Sequence, residues 1–179
     1  MLSNQNRLWA VLFLVLSLIA KMEENPHMSR SNPHLQAATL GGSPDDVEAA
    51  FYEGLRAGDI ELLMACWADE DDIACIHPGG SRLLGSAAIR AAFEAMFSEG
   101  GSIPVTPEHV QRVDSVASAV HHVLERVNVM TSEGAVQAYV LATNVYHQTP
   151  QGWRLVVHHA SPGNPGTVQD MPQASKVLH

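Results

Sequence analysis

Two hydrophobic periods divide the middle of the chain. Val47, Ala50, Phe51, Gly54 and Leu55 recur every three or four residues behind Ser43-Pro44-Asp45-Asp46. A capping serine, a proline at the first helical position and acids in the first turn predict a helix start there, and Gly58 ends it. Asp59 heads a shorter helix from Ile60 to about Ala68, with Leu63 and Trp67 on one face. At Ile73 the period changes to two. Ile73, Cys75 and His77 fall on one face of a short strand, Ala74 and Ile76 on the other, and Pro78-Gly79-Gly80 stops it. Arg82 to Gly85 reads as a turn or a brief extended pair. Ser86 then caps a third helix to about Glu99, whose apolar face is Ile89, Ala92, Phe93, Met96 and Phe97. Four strands follow over 105–115, 118–131, 135–148 and 153–161, separated by turn signals such as Thr149-Pro150-Gln151-Gly152. Helices first and strands last predict an α+β domain: a curved antiparallel sheet wrapped around N-terminal helices, leaving a conical central pocket.

The flanks differ. Leu8 to Ala20 is a 13-residue apolar run behind Arg7, too short for a comfortable membrane span and the right length for a signal-peptide core. Leu18 stands where a small residue is wanted before a cut after Ala20. Met22 and Met28 are alternative starts, in which case the run is an upstream extension. A cytoplasmic protein is expected in that case, and an exported one if residues 1–20 are a signal peptide. Residues 21–42 and 164–179 are polar and aperiodic, so the expected division is 1–42 leader and linker, 43–163 domain, 164–179 tail.

Charge narrows the partners. Between residues 43 and 163 stand six arginines, no lysine and sixteen acidic residues. Such a surface repels phosphate backbones and argues against nucleic-acid binding. Cys66 and Cys75 have no metal or redox spacing and read as buried free thiols.

Four stretches resemble the SnoaL-like group of the NTF2-like superfamily, which also holds ketosteroid isomerases and scytalone dehydratase. They are the helix end at Gly58-Asp59, the Trp67…Asp72-Ile73-Ala74-Cys75-Ile76-His77-Pro78-Gly79 segment, Gly85-Ser86…Ile89-Arg90, and Gly152-Trp153-Arg154-Leu155-Val156-Val157-His158-His159-Ala160-Ser161. The resemblance covers about residues 43–163. It implies a deep pocket for a small apolar or aromatic ligand, a homodimer through the sheet and cofactor-free chemistry. It also allows a non-catalytic ligand-binding or dimerisation module. Ketosteroid isomerase pairs an aspartate base with an oxyanion hole of a tyrosine and a protonated aspartate, a set with no residue-by-residue counterpart evident along this sequence.

Candidate site residues follow from position. His77, at the end of a strand, titrates near neutral pH and can exchange protons at a pocket mouth. On the last strand Trp153, Leu155, Val157, His159 and Ser161 share the more apolar face, so His159 is expected inward and His158 outward. Asp72, the strand-side end of the acidic run Asp69–Asp72, could reach a histidine and raise its pKa. His77, His159 and Asp72 are thus the expected acid–base set for an isomerase, dehydratase or cyclase step on a carbonyl compound. Trp67 and Arg82 are candidate ligand contacts. On the 135–148 strand Tyr139 and Thr143 share one face and Asn144 and Tyr146 the other, and either pair could line the pocket. His121 and His122, like His158 and His159, point to opposite faces, so a three-ligand metal site is not expected.

Overall fold

The computed structural model describes residues 42–131, 134–164 and 166. The expected leader and most of the expected tail lie outside them. Helix α1 spans Pro44–Ala57 and helix α2 Ile60–Ala65. Strands β1 (Ala74–Ile76) and β2 (Arg82–Leu84) precede helix α3 (Ser86–Gly100). Strands β3 (Val105–Asp114), β4 (Ser118–Thr131), β5 (Gly134–Thr149) and β6 (Gly152–Pro162) complete a six-stranded sheet in the order β2-β1-β6-β5-β4-β3. This is the expected α+β architecture. No described helix is long and apolar enough to cross a membrane.

Local chemistry sets the helix ends. The Ser43 hydroxyl accepts from the Asp46 amide at 3.1 Å and the Asp59 carboxylate from the Leu62 amide at 2.9 Å. Gly58 closes α1 at φ +64°, where a Cβ would also collide with the Gly101 carbonyl oxygen. Two details depart from expectation. Ser86 is the first residue of α3 and does not cap it: Gly85 holds that position without a side-chain bond, while the Ser86 hydroxyl reaches Asp69 at 3.4 Å. Helix α2 stops before Trp67, because the backbone at Cys66 and Ala68 bonds Leu155 of β6 instead of continuing the helix.

The sheet is mixed, whereas the sequence predicts a wholly antiparallel one. β1 runs parallel to β6, Ala74 opposite Val157 and Ile76 opposite His159, while every other neighbouring pair is antiparallel. In β6 the register shifts by one: Val145 faces Val157 but Tyr146 faces Leu155, so Val156 is an extra residue. This bulge exchanges the two faces of the strand downstream. His158 turns inward and is buried, and His159 turns outward and is exposed. The strict alternation expected for β6 therefore fails at one residue, and the two histidines trade places.

The concave face packs on α1 and α3. Phe51 is wholly buried, with edge-to-face contacts to Tyr52, Trp67 and Phe93 at centroid distances of 5.4, 6.3 and 6.4 Å. Across the convex face the register aligns one apolar row over all six strands: Leu84, Ala74, Val157, Val145, Val120 and Val113. Leu84 and Val113 are 49% and 63% exposed. A second row, Arg82, Ile76, His159, Thr143, His122 and Gln111, is mostly polar.

Candidate functional site

Between α1 and the sheet, polar side chains converge where an apolar pocket is expected. Helix α1 contributes Glu48 and Tyr52, four residues apart and therefore on one face. β4 contributes His121 and Glu125, β5 contributes Asn144 and Tyr146, and β6 contributes His158. Each is no more than 6% exposed.

They form two hydrogen-bonded groups. In the first, His121 Nδ1 lies 2.8 Å from Glu48 Oε2, which also accepts from the Tyr146 hydroxyl at 3.3 Å. Among the described residues His121 Nε2 has no hydrogen-bond partner, although it is fully buried. In the second, the Tyr52 hydroxyl donates to Glu125 Oε1 at 2.8 Å and accepts from Asn144 Nδ2 at 3.3 Å. His158 Nδ1 donates to Asn144 Oδ1 at 2.7 Å. The chain Glu125–Tyr52–Asn144–His158 thus links β4, α1, β5 and β6. His77 lies beyond its end with no hydrogen bond to it among the described residues, its ring 6.4 Å from that of His158 and edge-on to Phe93 at 5.1 Å.

Burial tunes these groups. Loss of hydration pushes the Glu125 carboxyl up to about 7; the Tyr52 hydrogen bond pulls against this and the Glu48 charge adds to it. Burial lowers His158 to about 3, helped by His77 and His159, and lowers His77 to about 4. Both are neutral imidazoles at neutral pH. Tyr52 and Tyr146 are raised well above the usual phenol value, chiefly by burial, and stay protonated. Cys75 lies 3.7 Å from His77 Nε2, but burial pushes its thiol up to about 12, so it is not a thiolate nucleophile.

Of the residues singled out from sequence, Asn144 and Tyr146 join this cluster and His77 stands at its end. Tyr139 faces the other side of β5, 3.5 Å from Gln137. Asp72 and Arg82 are exposed, and His159 is on the convex face. Trp67 is buried with its Nε1 unpartnered, and it borders a separate hollow of about 400 Å³ with Met64, Asp69, Ser86 and Arg90. Glu48, Tyr52 and Glu125 were not foreseen. Their signal was present: an acid and a tyrosine one turn apart within the apolar stripe of α1, and a glutamate at an inward step of β4 between Val123 and Val127. Asp45 offers a carboxylate oxygen within 4.8 Å of the Glu48 and His121 ligand atoms, but Arg112 already holds Asp45 at 2.7 Å.

Comparison with known proteins agrees with this architecture. The SnoaL-like domain model matches residues 45–165. A proposed association domain of calcium/calmodulin-dependent protein kinase type II from Thiobacillus denitrificans is 35% identical, with a TM-score of 0.63 over 70% of this chain and 98% of that one. A proposed dehydratase of the NTF2-like family from Streptomyces avermitilis is 26% identical, with a TM-score of 0.60 over 74% and 99%. An NTF2-like protein from Salmonella enterica shares the fold at 15% identity, with a TM-score of 0.58 over 78% and 100%. No curated protein matches the chain.

Proposed function

The chain belongs to the SnoaL-like domain family, within the NTF2-like superfamily, and on that premise we propose that it is a cofactor-free enzyme acting by general acid–base chemistry on a small carbonyl compound. The Glu48–His121 dyad carries this reading. With Nδ1–H donated to the Glu48 carboxylate, Nε2 presents its lone pair to the interior with no protein group to meet it. A buried polar atom left without a partner calls for an explanation, and a base oriented by a carboxylate supplies one.

The second group supplies the acid side. Tyr52 stands one helical turn from Glu48, a rise of about 6 Å, so a substrate bound between them would meet the base at one end and hydroxyl donors at the other. Proton removal by His121 from carbon next to the carbonyl leaves charge on the carbonyl oxygen. With Glu125 protonated, the Tyr52–Glu125 pair has two O–H protons, one of which can turn to that oxygen, and Asn144 Nδ2 lies beside them. Return of the proton to another carbon completes an isomerisation. Its delivery to a departing β-hydroxyl completes a dehydration, the reaction named for the Streptomyces avermitilis relative. This set takes the roles that the sequence assigned to His159 and Asp72 and keeps His77, Asn144 and Tyr146 at the site.

The test is turnover of cyclic enones and β-hydroxy ketones by wild type, His121→Ala and Glu48→Gln. A loss of about 10²–10⁴ in kcat for both variants, with the circular dichroism spectrum unchanged, is expected. Equal rates in all three proteins would refute the assignment.

A second reading has its own support. The 35% identity to a chain described as an association domain, together with the apolar row across the convex face, favours a module that pairs through its sheet without chemistry. Homodimerisation through that row is compatible with either reading. Catalytic silence across the substrate panel, combined with a tight dimer, would select the second.

A further inference from the structure

We infer that the interior site selects ligands by charge: it takes an uncharged carbonyl compound and turns away the same skeleton bearing a carboxylate or a phosphate. The inference rests on the site proposed above and adds a substrate class to it. Two carboxylates, Glu48 and Glu125, are buried there, and no described lysine or arginine joins them; the one basic group beside them, His121, is already paired with Glu48 at 2.8 Å. No lysine lies between residues 43 and 163. Each of the six arginines of that stretch is at least partly exposed. Four of them are committed elsewhere: Arg56 to Glu53, Arg90 to Glu61, Arg112 to Asp45 and Arg126 to Glu108. Arg154 bonds the Trp153 carbonyl, and Arg82 lies on β2 opposite Ile76, in the row of the convex face. An anion brought among these buried side chains would lose its hydration, find no arginine or lysine to pair with and face two acids. A ketone oxygen needs only neutral donors, and the Tyr52 hydroxyl, the Asn144 amide and the protonated form of Glu125 are of that kind.

The discrimination depends on pH through Glu125. The titratable groups that act on it are Tyr52 and Glu48 on α1 and Cys75 on β1; His121 on β4 and Tyr146 on β5 connect to it through Glu48, and His158 on β6 through Asn144 and Tyr52. From β3 it faces Pro107, which does not titrate. Below about pH 7 Glu125 is protonated and adds a donor, and above it a second negative charge remains in the site. Discrimination against anions therefore widens as pH rises.

Isothermal titration of the full chain with 2-acetylnaphthalene, 2-naphthoate and 2-naphthyl phosphate at pH 6 and pH 8 tests this. The ketone is expected to bind at least about tenfold more tightly than either anion at pH 6, with a larger ratio at pH 8. Glu125→Gln should keep the ketone-to-naphthoate ratio constant between the two pH values, since 2-naphthoate is ionised at both; the aryl phosphate, whose second proton leaves at about pH 6, is compared with the ketone at fixed pH only. If 2-naphthoate binds as tightly as the ketone, charge selection is wrong and the site itself stands. If wild type and Glu125→Gln show the same ratios at both pH values, the ligands sit elsewhere and the inference is overturned. If none of the three probes binds wild type, the underlying site reading fails with it. Should Glu125→Gln not fold, the change in ratio with pH in wild type decides alone.

Discussion

Glu125 shows how one buried side chain couples the charge of the interior cluster to stability. Its carboxyl, raised from 4.5 to about 7, holds a proton in the folded chain that the unfolded chain has already released between those values. The folded state therefore loses stability as pH rises through that window, and Glu125→Gln removes the loss. The unfolding free energy of the variant relative to wild type, read by chemical denaturation, should climb from pH 5 to pH 8 by on the order of 3 kcal/mol. A flat difference would show that Glu125 is not raised. His158 and His77 act with the opposite sign. Lowered to about 3 and about 4, they refuse protons that the unfolded chain takes up near 6.5, so both withdraw stability as pH falls below that value. The neighbouring histidines also separate cleanly by substitution. His158→Ala leaves Asn144 Oδ1 without its donor and should cost about 1–3 kcal/mol in chemical denaturation. His159→Ala, on the exposed face, should stay within about 0.5 kcal/mol.

At the scale of elements, the order of helices and strands was legible because period and punctuation agree. Ser43-Pro44 and Asp59 cap helices as their chemistry dictates, and β5 alternates inward and outward positions from Val140 to Tyr146. Gly58→Ala tests one such joint. It strains a positive φ and drives a methyl into the Gly101 carbonyl, so a loss of about 2 kcal/mol or more in the stability of the domain is expected. Thermal unfolding at the wild-type midpoint would rule that constraint out. The site was less legible, for two physical reasons. A bulge is invisible to a period-two reading, so β6 was placed with its faces exchanged beyond Val156. Glu48 and Glu125 were passed over because charge is normally a surface signal, and only the partners brought by other elements, His121 and Tyr52, make their burial tolerable. Asn144 and Tyr146 needed no new rule. Alternation had already paired them, and register chose their side.

For the whole molecule, the sheet separates two tasks. Its concave side holds the buried polar cluster, and its convex side presents an apolar row from Leu84 to Val113. Its two ends, Leu84 and Val113, are the exposed part, and on the pairing reading proposed above this row is what a second copy would cover. Sedimentation velocity is expected to give a dimer for wild type and a monomer for Val145→Asp, with the helical and strand signals preserved. A monomeric wild type at micromolar concentration would argue against pairing through this face. The doubled histidines bear on how such a chain tolerates insertion and deletion. A one-residue slip in β6 or β4 normally replaces the group aimed at the interior by one of different chemistry. At His158-His159 and His121-His122 the same slip delivers an imidazole either way. In β6 a bulge can therefore be lost or gained with an imidazole still facing the interior, whereas in β4 the same slip would also carry Glu125 outward and bring Leu124 or Arg126 in.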